Sequence, residues 1–300
     1  MIVIDWGTSS LRGYRLDADG GILEQRRSDQ GIAVCQGHFA ATLATLIDTW
    51  PGDVVLCGMI GSRNGWIELP YAPCPADTAA LAAAMRPLQD PALPGRTLWF
   101  VPGVATSTHA PVPDVMRGEE TQLIGLLDIL AQERQDHAHH SVCLPGTHSK
   151  WVDLEHGRIA ALVTMMTGEL YALLRQHSLL ARLMEPDDAT FDAPGFAAGV
   201  QRSGDPGGLL HHLFGVRSLG LFERLSAAAA PSYLSGLLIG HELRARLPLA
   251  PMVHLVGGSG LLTRYTHALR ALGSTVHTHP EDLAARGLYR LARQHGGIAS

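Results

Sequence analysis

The sequence predicts an α/β protein of two similar lobes, each with a mixed β-sheet covered by helices. Three observations support this prediction. Strand-like segments at Ile2–Asp5, Leu11–Leu16 and Ile22–Arg26 form a meander, a second meander lies near residues 142–164, and helices alternate with strands after each. Because the same order of elements occurs twice without repeated sequence, we expect a structural duplication.

The first half continues with alternating helical and strand-like periodicity. Apolar spacing predicts the following elements in order: a helix around His38–Trp50, a strand at Val54–Cys57, an alanine-rich helix near Asp77–Met85, a strand at Leu98–Val101 and a helix at Arg117–Leu130. Together with the meander, these elements make one mixed α/β layer.

The second half repeats this design after a polar segment, Gln132–His140, which we expect to join the lobes. Its strands are predicted at Val142–Leu144, Trp151–Asp153, Ile159–Thr164 and Val253–Val256. We therefore expect an N-terminal lobe of residues 1–135 and a C-terminal lobe of residues 136–300.

Charge and hydropathy exclude two classes of partner. The chain carries 23 Lys and Arg against 28 Asp and Glu and has no basic stripe, so we expect no nucleic-acid partner. It has no apolar stretch long enough to cross a bilayer, and an acid at position 5 interrupts any signal peptide. The expected location is the cytoplasm, without membrane contact.

The opening hairpin, Asp5-Trp6-Gly7-Thr8-Ser9, has the composition of a phosphate-binding turn. Gly7 allows the backbone N–H groups to approach an anion, the hydroxyls of Thr8 and Ser9 can donate to phosphate oxygens, and Asp5 can hold a hydrated magnesium ion. An ordinary hairpin with a polar turn is the alternative, since turns favour the same residue types.

A second hairpin turn runs from Gly146 through Thr147 and His148 to Lys150, which is the only lysine of the chain. A glycine, two hydroxyls, an imidazole and an ammonium group beside one turn suit a second phosphate clamp. Alternation along the following strand leaves open that the Lys150 side chain faces solvent instead.

A third bend, Gly257-Gly258-Ser259, connects a buried strand to a helix. Glycines there allow an adenine or ribose to lie against the backbone, and the start of the helix favours negative charge. Neither a Walker G-x-x-x-x-G-K-[ST] motif nor a G-x-G-x-x-G fingerprint in a βαβ unit occurs. We expect a nucleotide in the cleft between the lobes.

Taken in order, these motifs resemble the actin, hexokinase and sugar-kinase superfamily and, more narrowly, the 2-dehydro-3-deoxygalactonokinase family. The segments that carry the resemblance are Ile4–Ser9, Gly58–Ser62, Met116–Gly125, Leu144–Lys150, Met166–Leu170 and Leu234–Gly240. The resemblance implies a ribonuclease-H-like fold of duplicated domains, each with a mixed five-stranded sheet. It also implies ATP and Mg²⁺ as cofactors and phosphoryl transfer to the 6-hydroxyl of 2-dehydro-3-deoxy-D-galactonate in galactonate catabolism.

Phosphoryl transfer requires an acceptor for the proton of the attacking hydroxyl. We expect Glu119 in this role, followed by Glu120 and then Asp114, because Glu119 and Glu120 begin a helix whose dipole lowers carboxyl pKa values. Since neighbouring side chains diverge by about 100° on a helix, one of the two faces the cleft. The alternative is that both acids only stabilise the helix terminus.

The anionic substrate requires a cation or backbone donors for its carboxylate. Arg117 and Arg63 are the bidentate candidates, and Asn64, the only asparagine of the chain, is a candidate for a hydroxyl. Glu169 is expected to bind sugar hydroxyls or to cap a helix. A plain turn is the alternative for the segment around Arg63 and Asn64.

Histidines and cysteines suggest little further chemistry. The sixteen histidines include the tract Asp136–His140, which we interpret as a solvated loop without a metal framework, and the four cysteines have no C-x-x-C spacing. Inert thiols are expected.

Alternative functions remain open at this stage. One is a polyphosphate or alarmone phosphohydrolase of the same superfamily, since Gly118-Glu119-Glu120 resembles part of its motif. Others are a kinase for the gluco epimer and a non-enzymatic, actin-like nucleotide switch. The sequence leaves the oligomeric state open, with a homodimer as one option.

Overall fold

A computed structural model of the chain describes residues 1–106, 111–135, 137–185 and 190–298. Within these ranges, no helix combines the length and the apolar character that crossing a membrane requires.

The described strands are separated by turns or by helices. They are β1 (Ile2–Trp6), β2 (Leu11–Leu16), β3 (Ile22–Ser28), β4 (Val54–Gly58), β5 (Ala72–Pro73), β6 (Arg86–Leu88), β7 (Leu98–Phe100), β8 (Val104–Ala105), β9 (Val115–Met116), β10 (His140–Leu144), β11 (Ser149–Glu155), β12 (Arg158–Met165), β13 (Met252–Val256) and β14 (Thr275–His279).

The helices fall between these strands and in one long stretch of the second half. They are α1 (Ile32–Cys35), α2 (Phe39–Ile47), α3 (Thr78–Ala84), α4 (Glu119–Gln132), α5 (Thr167–His177), α6 (Ala193–Arg202), α7 (Gly208–Leu221), α8 (Ala230–Arg244), α9 (Ser259–Ala271) and α10 (Leu283–His295), with 3₁₀ turns at Met59–Gly61 and Leu179–Leu183.

The first sheet has the strand order β3-β2-β1-β4-β7-β6, in which β1 lies antiparallel to β2 and parallel to β4. Alternation along β1 buries Ile2, Ile4 and Trp6 in one hydrophobic core and places Asp5 on the opposite face. The prediction of five strands is wrong for this sheet, because the short β6 adds a sixth strand antiparallel to β7.

The second sheet has the predicted five strands, in the order β12-β11-β10-β13-β14. β13 is parallel to both β10 and β14. Its core side is filled by Val253 and Leu255, which pack with Trp151 of β11 and Tyr265 of α9. The α/β class with two large mixed sheets is thus confirmed, and β5, β8 and β9 form a small third sheet in the described residues.

The chain divides into two compact units that are not continuous in sequence. One unit comprises Met1–His140, Val152–Val163 and the C-terminal segment from Glu281, and the other comprises Ser141–Trp151 and Thr164–Pro280. The predicted division follows residue 135, and the first boundary between these units follows His140. The bounds of the two lobes stay a prediction.

Close packing of α10 on α4 explains why the last helix belongs to the first unit. A Cβ on Gly287 of α10 would lie 1.8 Å from the Thr121 carbonyl oxygen, and one on Gly125 of α4 would lie 2.3 Å from the Leu283 carbonyl oxygen. Two glycines therefore let the helix backbones touch. Arg286 of α10 also binds Asp128 of α4 at 2.6 Å.

Candidate active site

A backbone hydrogen bond from the start of α1 fixes the first hairpin turn. The N–H of Ile32 donates to the Gly7 carbonyl at 3.1 Å, and the N–H of Gly7 donates to the Ser10 carbonyl at 2.9 Å. Thr8 and Ser9 are exposed. The Gly7 donor is therefore satisfied within the turn, and the hydroxyls of Thr8 and Ser9 are the groups available to an anion.

Asp5 lies in the middle of the first sheet, paired in register with Arg12 on β2 and Cys57 on β4. Its carboxylate is 4.0 Å from the Arg12 guanidinium and 3.9 Å from the Cys57 sulfur. Burial raises the pKa of Asp5 to about 6, and the nearby carboxylates of Glu119 and Glu281 oppose the lowering by Arg12. A cation beside Asp5 would relieve this cost, and carboxylate oxygens are the donors that Mg²⁺ prefers.

Gly118 brings the start of α4 against the end of β4. Its φ is +109°, and a Cβ there would lie 3.2 Å from the Cα of Gly58. The two acids that follow fold back onto the preceding backbone. The Arg117 N–H donates to Glu119 Oε2 at 3.1 Å, and the Gly118 N–H donates to Glu120 Oε2 at 2.7 Å. Both acids thus hold the turn that leads into the helix.

The two adjacent carboxyl groups lie in different environments. Glu119 is partly exposed, whereas Glu120 is fully buried and its Oε1 has no hydrogen-bond partner in the described part of the chain. Burial, with Glu119 next, raises the pKa of Glu120 to about 8. The expectation that the helix dipole lowers this pKa is wrong, because desolvation outweighs the dipole.

Three of the predicted substrate residues, Arg63, Asn64 and Arg117, line one cavity of about 720 Å³. The Arg117 guanidinium is buried, stacks at 4.4 Å over Tyr71 and donates from Nη2 to the Leu69 carbonyl at 2.8 Å. Across the described ranges, its Nε and Nη1 atoms have no acceptor. Two buried donors beside a cavity suit a carboxylate ligand.

Arg63 and Asn64 are exposed, unlike Arg117. The side chain of Arg63 is 84% exposed, and its Nε is 3.3 Å from Glu68 Oε1. Sequence reasoning missed Tyr71, which fixes the plane of the Arg117 guanidinium. Tyr71 is far from Arg117 in sequence, so no local pattern pointed to it.

The second hairpin turn is closed by the start of α5. The N–H of Glu169 donates to the Thr147 carbonyl at 2.9 Å, and the Glu169 carboxylate contacts His148 Nε2. A Cβ on Gly168 would lie 2.3 Å from the carbonyl oxygen of Gly146, so the approach requires glycine. The structure therefore brings Glu169 to the second turn and pairs it with His148.

Lys150 is buried rather than turned to solvent. Its ammonium group donates to the carbonyl of His148 at 2.9 Å, which ties the second turn to the strand that follows it.

A buried network that the sequence analysis missed supports this turn. Glu242 of α8 accepts from Trp151 Nε1 and from the Tyr265 hydroxyl, each at 2.8 Å, and also contacts the Thr167 hydroxyl; Ser149 and Tyr265 are 2.8 Å apart. We call these five residues the Glu242 network. Burial raises the pKa of Glu242. One signal was available, since Glu242 is the only acid within α8.

The third bend lies beside the second one. A Cβ on Gly257 would be 3.6 Å from the carbonyl oxygen of Pro145, and the Gly257 N–H donates to the His279 carbonyl at 3.4 Å. Gly258 precedes α9, which begins at Ser259, so the helix presents its free N–H groups next to this bend. An anionic ligand is favoured there.

The remaining predicted features are the histidine tract and the four cysteines. In the His137–His140 tract, His139 is 3.4 Å from Asp153, and His140 is buried and bonded to the Gln135 carbonyl; Asp136 lies outside the described residues. All four cysteines are free thiols, three of them buried, as expected for inert thiols.

Comparison with known proteins gives matches over nearly the whole chain. A family model described as 2-keto-3-deoxy-galactonokinase matches residues 5–291. A Rhizobium meliloti protein named as a probable 2-dehydro-3-deoxygalactonokinase is 37% identical, with 97% of this chain and 95% of that protein covered. An Escherichia coli protein named 2-dehydro-3-deoxygalactonokinase is 35% identical, with 94% of each covered.

A solved structure agrees with these sequence matches. The crystal structure of a candidate 2-dehydro-3-deoxygalactonokinase from Sinorhizobium meliloti superposes with a TM-score of 0.89 at 36% identity, covering 100% of this chain and 98% of that one. The fold is therefore shared over the whole of this chain.

Proposed function

This chain belongs to the 2-keto-3-deoxy-galactonokinase family, and from that membership we propose that it transfers the γ-phosphoryl group of ATP to the 6-hydroxyl of 2-dehydro-3-deoxy-D-galactonate in galactonate catabolism. The observation that carries the proposal is the family match over residues 5–291. The function is thus that of an ATP-dependent phosphotransferase with a sugar acid as acceptor.

Mg²⁺ is the cofactor that Asp5 would hold. The fit rests on the Asp5 carboxyl, whose pKa burial and the neighbouring acids Glu119 and Glu281 raise to about 6. When bound, Mg²⁺ neutralises charge on the phosphates. Asp5 itself supplies a carboxylate oxygen as ligand. Its neighbour Arg12 pairs with Glu281 at 2.6 Å, which limits the repulsion between the carboxylates of Asp5 and Glu281.

Glu119 remains the proposed proton acceptor. A base must be ionised at the working pH, and the pKa of about 8 keeps Glu120 mostly protonated at neutral pH. Glu119 is partly exposed, so a substrate hydroxyl can reach it, and the N–H of Arg117 holds one of its oxygens in place. We assign Glu120 to shaping the start of α4.

Arg117 is the proposed anchor for the carboxylate of the sugar acid. Its Nε and Nη1 lack acceptors within the described residues, and a carboxylate that accepts from one of them removes a desolvation cost of about 1–3 kcal/mol. Arg63 and Asn64 border the same cavity and are proposed to bind the remaining oxygens.

The nucleotide is proposed to contact the three bends. In the first, Thr8 and Ser9 offer hydroxyls beside Gly7; in the second, Gly146, Thr147 and His148 offer donors on a turn that Lys150 fixes; in the third, Gly257, Gly258 and Ser259 lie at a helix start. Glu169 is proposed to orient His148. The cytoplasmic location and the homodimer stay predictions.

The test is a coupled assay of ADP release with a panel of sugar acids that includes the gluco epimer. We expect turnover to depend on 2-dehydro-3-deoxy-D-galactonate and to exceed turnover of its gluco epimer. Release of phosphate without any sugar acid would instead indicate a phosphohydrolase. Equal use of both epimers would overturn the assigned specificity.

Variants test the assignment of the base. Glu119→Gln should lower kcat by about 10²–10⁴-fold, the usual contribution of a general base, and Glu120→Gln and Asp114→Asn should lower it less. Glu133→Gln, at the exposed C-terminal end of the same helix, is the matched control and should leave kcat unchanged. A larger loss for Asp114→Asn than for Glu119→Gln would reassign the role.

A further inference from the structure

Three histidines share one face of the second sheet. His254 of β13 and His277 of β14 are partners in the parallel register, and His279 lies two residues after His277. Since side chains on a strand alternate between faces, positions 277 and 279 lie on the same face as their partner strand's position 254. The side opposite to the core residues Val253 and Leu255 therefore carries three imidazoles.

The three rings are close enough to share one ligand. Their centroids are 5.5 Å apart for His254 and His277, 5.2 Å for His254 and His279, and 4.5 Å for His277 and His279. One ring nitrogen from each lies within 4.8 Å of those from the other two, and His254 Nδ1 is 2.9 Å from His279 Nε2. Nitrogens bound tetrahedrally to zinc lie ~3.3 Å apart, inside this range.

The exposure of the cluster also suits a metal. His254 and His279 are buried, whereas His277 is exposed. An ion can therefore reach the cluster from solvent through His277.

We propose that His254, His277 and His279 form a binding site for one late first-row divalent ion, with Zn²⁺ as the reference ion and water completing its coordination. Imidazole selects zinc, copper, nickel and cobalt, whereas Mg²⁺ prefers carboxylate oxygen. The site thus differs in ion class from the carboxyl group of Asp5.

Occupancy would restrain the third bend. The His279 carbonyl accepts from the Gly257 N–H, so an ion that fixes the end of β14 also fixes the backbone at Gly257. The ion would therefore link β13 to β14 at the place where the chain turns into α9.

The test is a zinc titration of the untagged, chelator-treated chain, read by isothermal calorimetry and by competition with a chromogenic chelator. We expect one equivalent to bind in the wild type, and Zn²⁺ to raise its Tm. Co²⁺ should give the intense visible bands of a four-coordinate site. None of these readouts uses phosphoryl transfer, so failure of the kinase assignment and failure of this site are distinguishable.

His277→Gln is the diagnostic variant, because its exposed side chain can change without a cost in folding. It should weaken zinc binding at least about tenfold, since even a group that only supports a metal ligand contributes 10–100-fold to metal affinity. His139→Gln is the matched control: this exposed histidine lies beside Asp153 and Glu155, and its loss should leave the affinity unchanged. Equal affinity in the wild type and His277→Gln, or loss only in His139→Gln, would overturn the proposal.

Discussion

Glu120→Gln should change the pH dependence of folding in a direction fixed by the burial of this carboxyl. The pKa of Glu120 rises from 4.5 to about 8 in the folded chain. Over that interval the folded state binds more protons than the unfolded state, so the free energy of unfolding falls as the pH rises. The variant lacks this ionisable group, so its free energy of unfolding should not show this fall.

The magnitude follows from the size of the shift. One pKa unit corresponds to 1.36 kcal/mol, so between pH 5 and pH 7 the wild type should lose about 3 kcal/mol relative to Glu120→Gln. The amide adds donors that the buried site does not satisfy, at a cost of about 1–3 kcal/mol, but this cost does not vary with pH. The informative quantity is therefore the difference between the two pH values.

Urea unfolding at pH 5, 6, 7 and 8 without nucleotide or metal measures this difference. The gap between variant and wild type should shift in favour of the variant by about 3 kcal/mol from pH 5 to pH 7, which corresponds to roughly 5–8 °C in Tm. Glu133→Gln, an exposed position at the other end of α4, supplies the baseline. If the two stability curves stay parallel across this range, Glu120 is not protonated in the folded chain and the reasoning fails.

Three further outcomes are expected. Gly168→Ala should push α5 away from the second turn, because its Cβ would lie 2.3 Å from a backbone oxygen, and should raise KM for ATP at least about tenfold. Gly260→Ala is the control: its Cβ would meet open space, so KM for ATP should not change. Arg117→Lys should raise KM for the sugar acid about tenfold and leave KM for ATP alone; an equal rise in both would remove Arg117 from the substrate cavity. Tyr265→Phe, which deletes a hydroxyl of the Glu242 network, should lower the free energy of unfolding by about 1–3 kcal/mol in urea titrations, and an unchanged value would show that the network does not stabilise the second unit.

Local periodicity predicted the parts of the fold that depend on nearest neighbours in sequence. Both meanders follow from alternating residues separated by turns, and the structure confirms β1, β2 and β3 within two residues. The sixth strand of the first sheet escaped because Pro87 lies in its middle and proline argues against a strand. Proline is tolerated in β6 because β6 is an edge strand, and the sequence alone does not reveal which strand lies at an edge.

The candidate site shows the same limit. Motif order identified the hairpins that carry Asp5 and Thr147, but burial decides whether the neighbouring side chains are ionised and accessible. Glu119 and Glu120 are adjacent in sequence, and only packing distinguishes an accessible carboxylate from a desolvated one. The histidines at 254 and 277 come together only through strand register, a contact across more than twenty residues that no local pattern contains.

The seating of α10 on α4 constrains synthesis as well as structure. A ribosome makes the partner of Thr121 and Gly125 on α4 only when residues 283–295 emerge, so this face of α4 stays uncovered until then. The first unit can complete its packing only after α10 has been made. Loss of α10 would therefore damage the packing of the first unit, far from α10 in sequence.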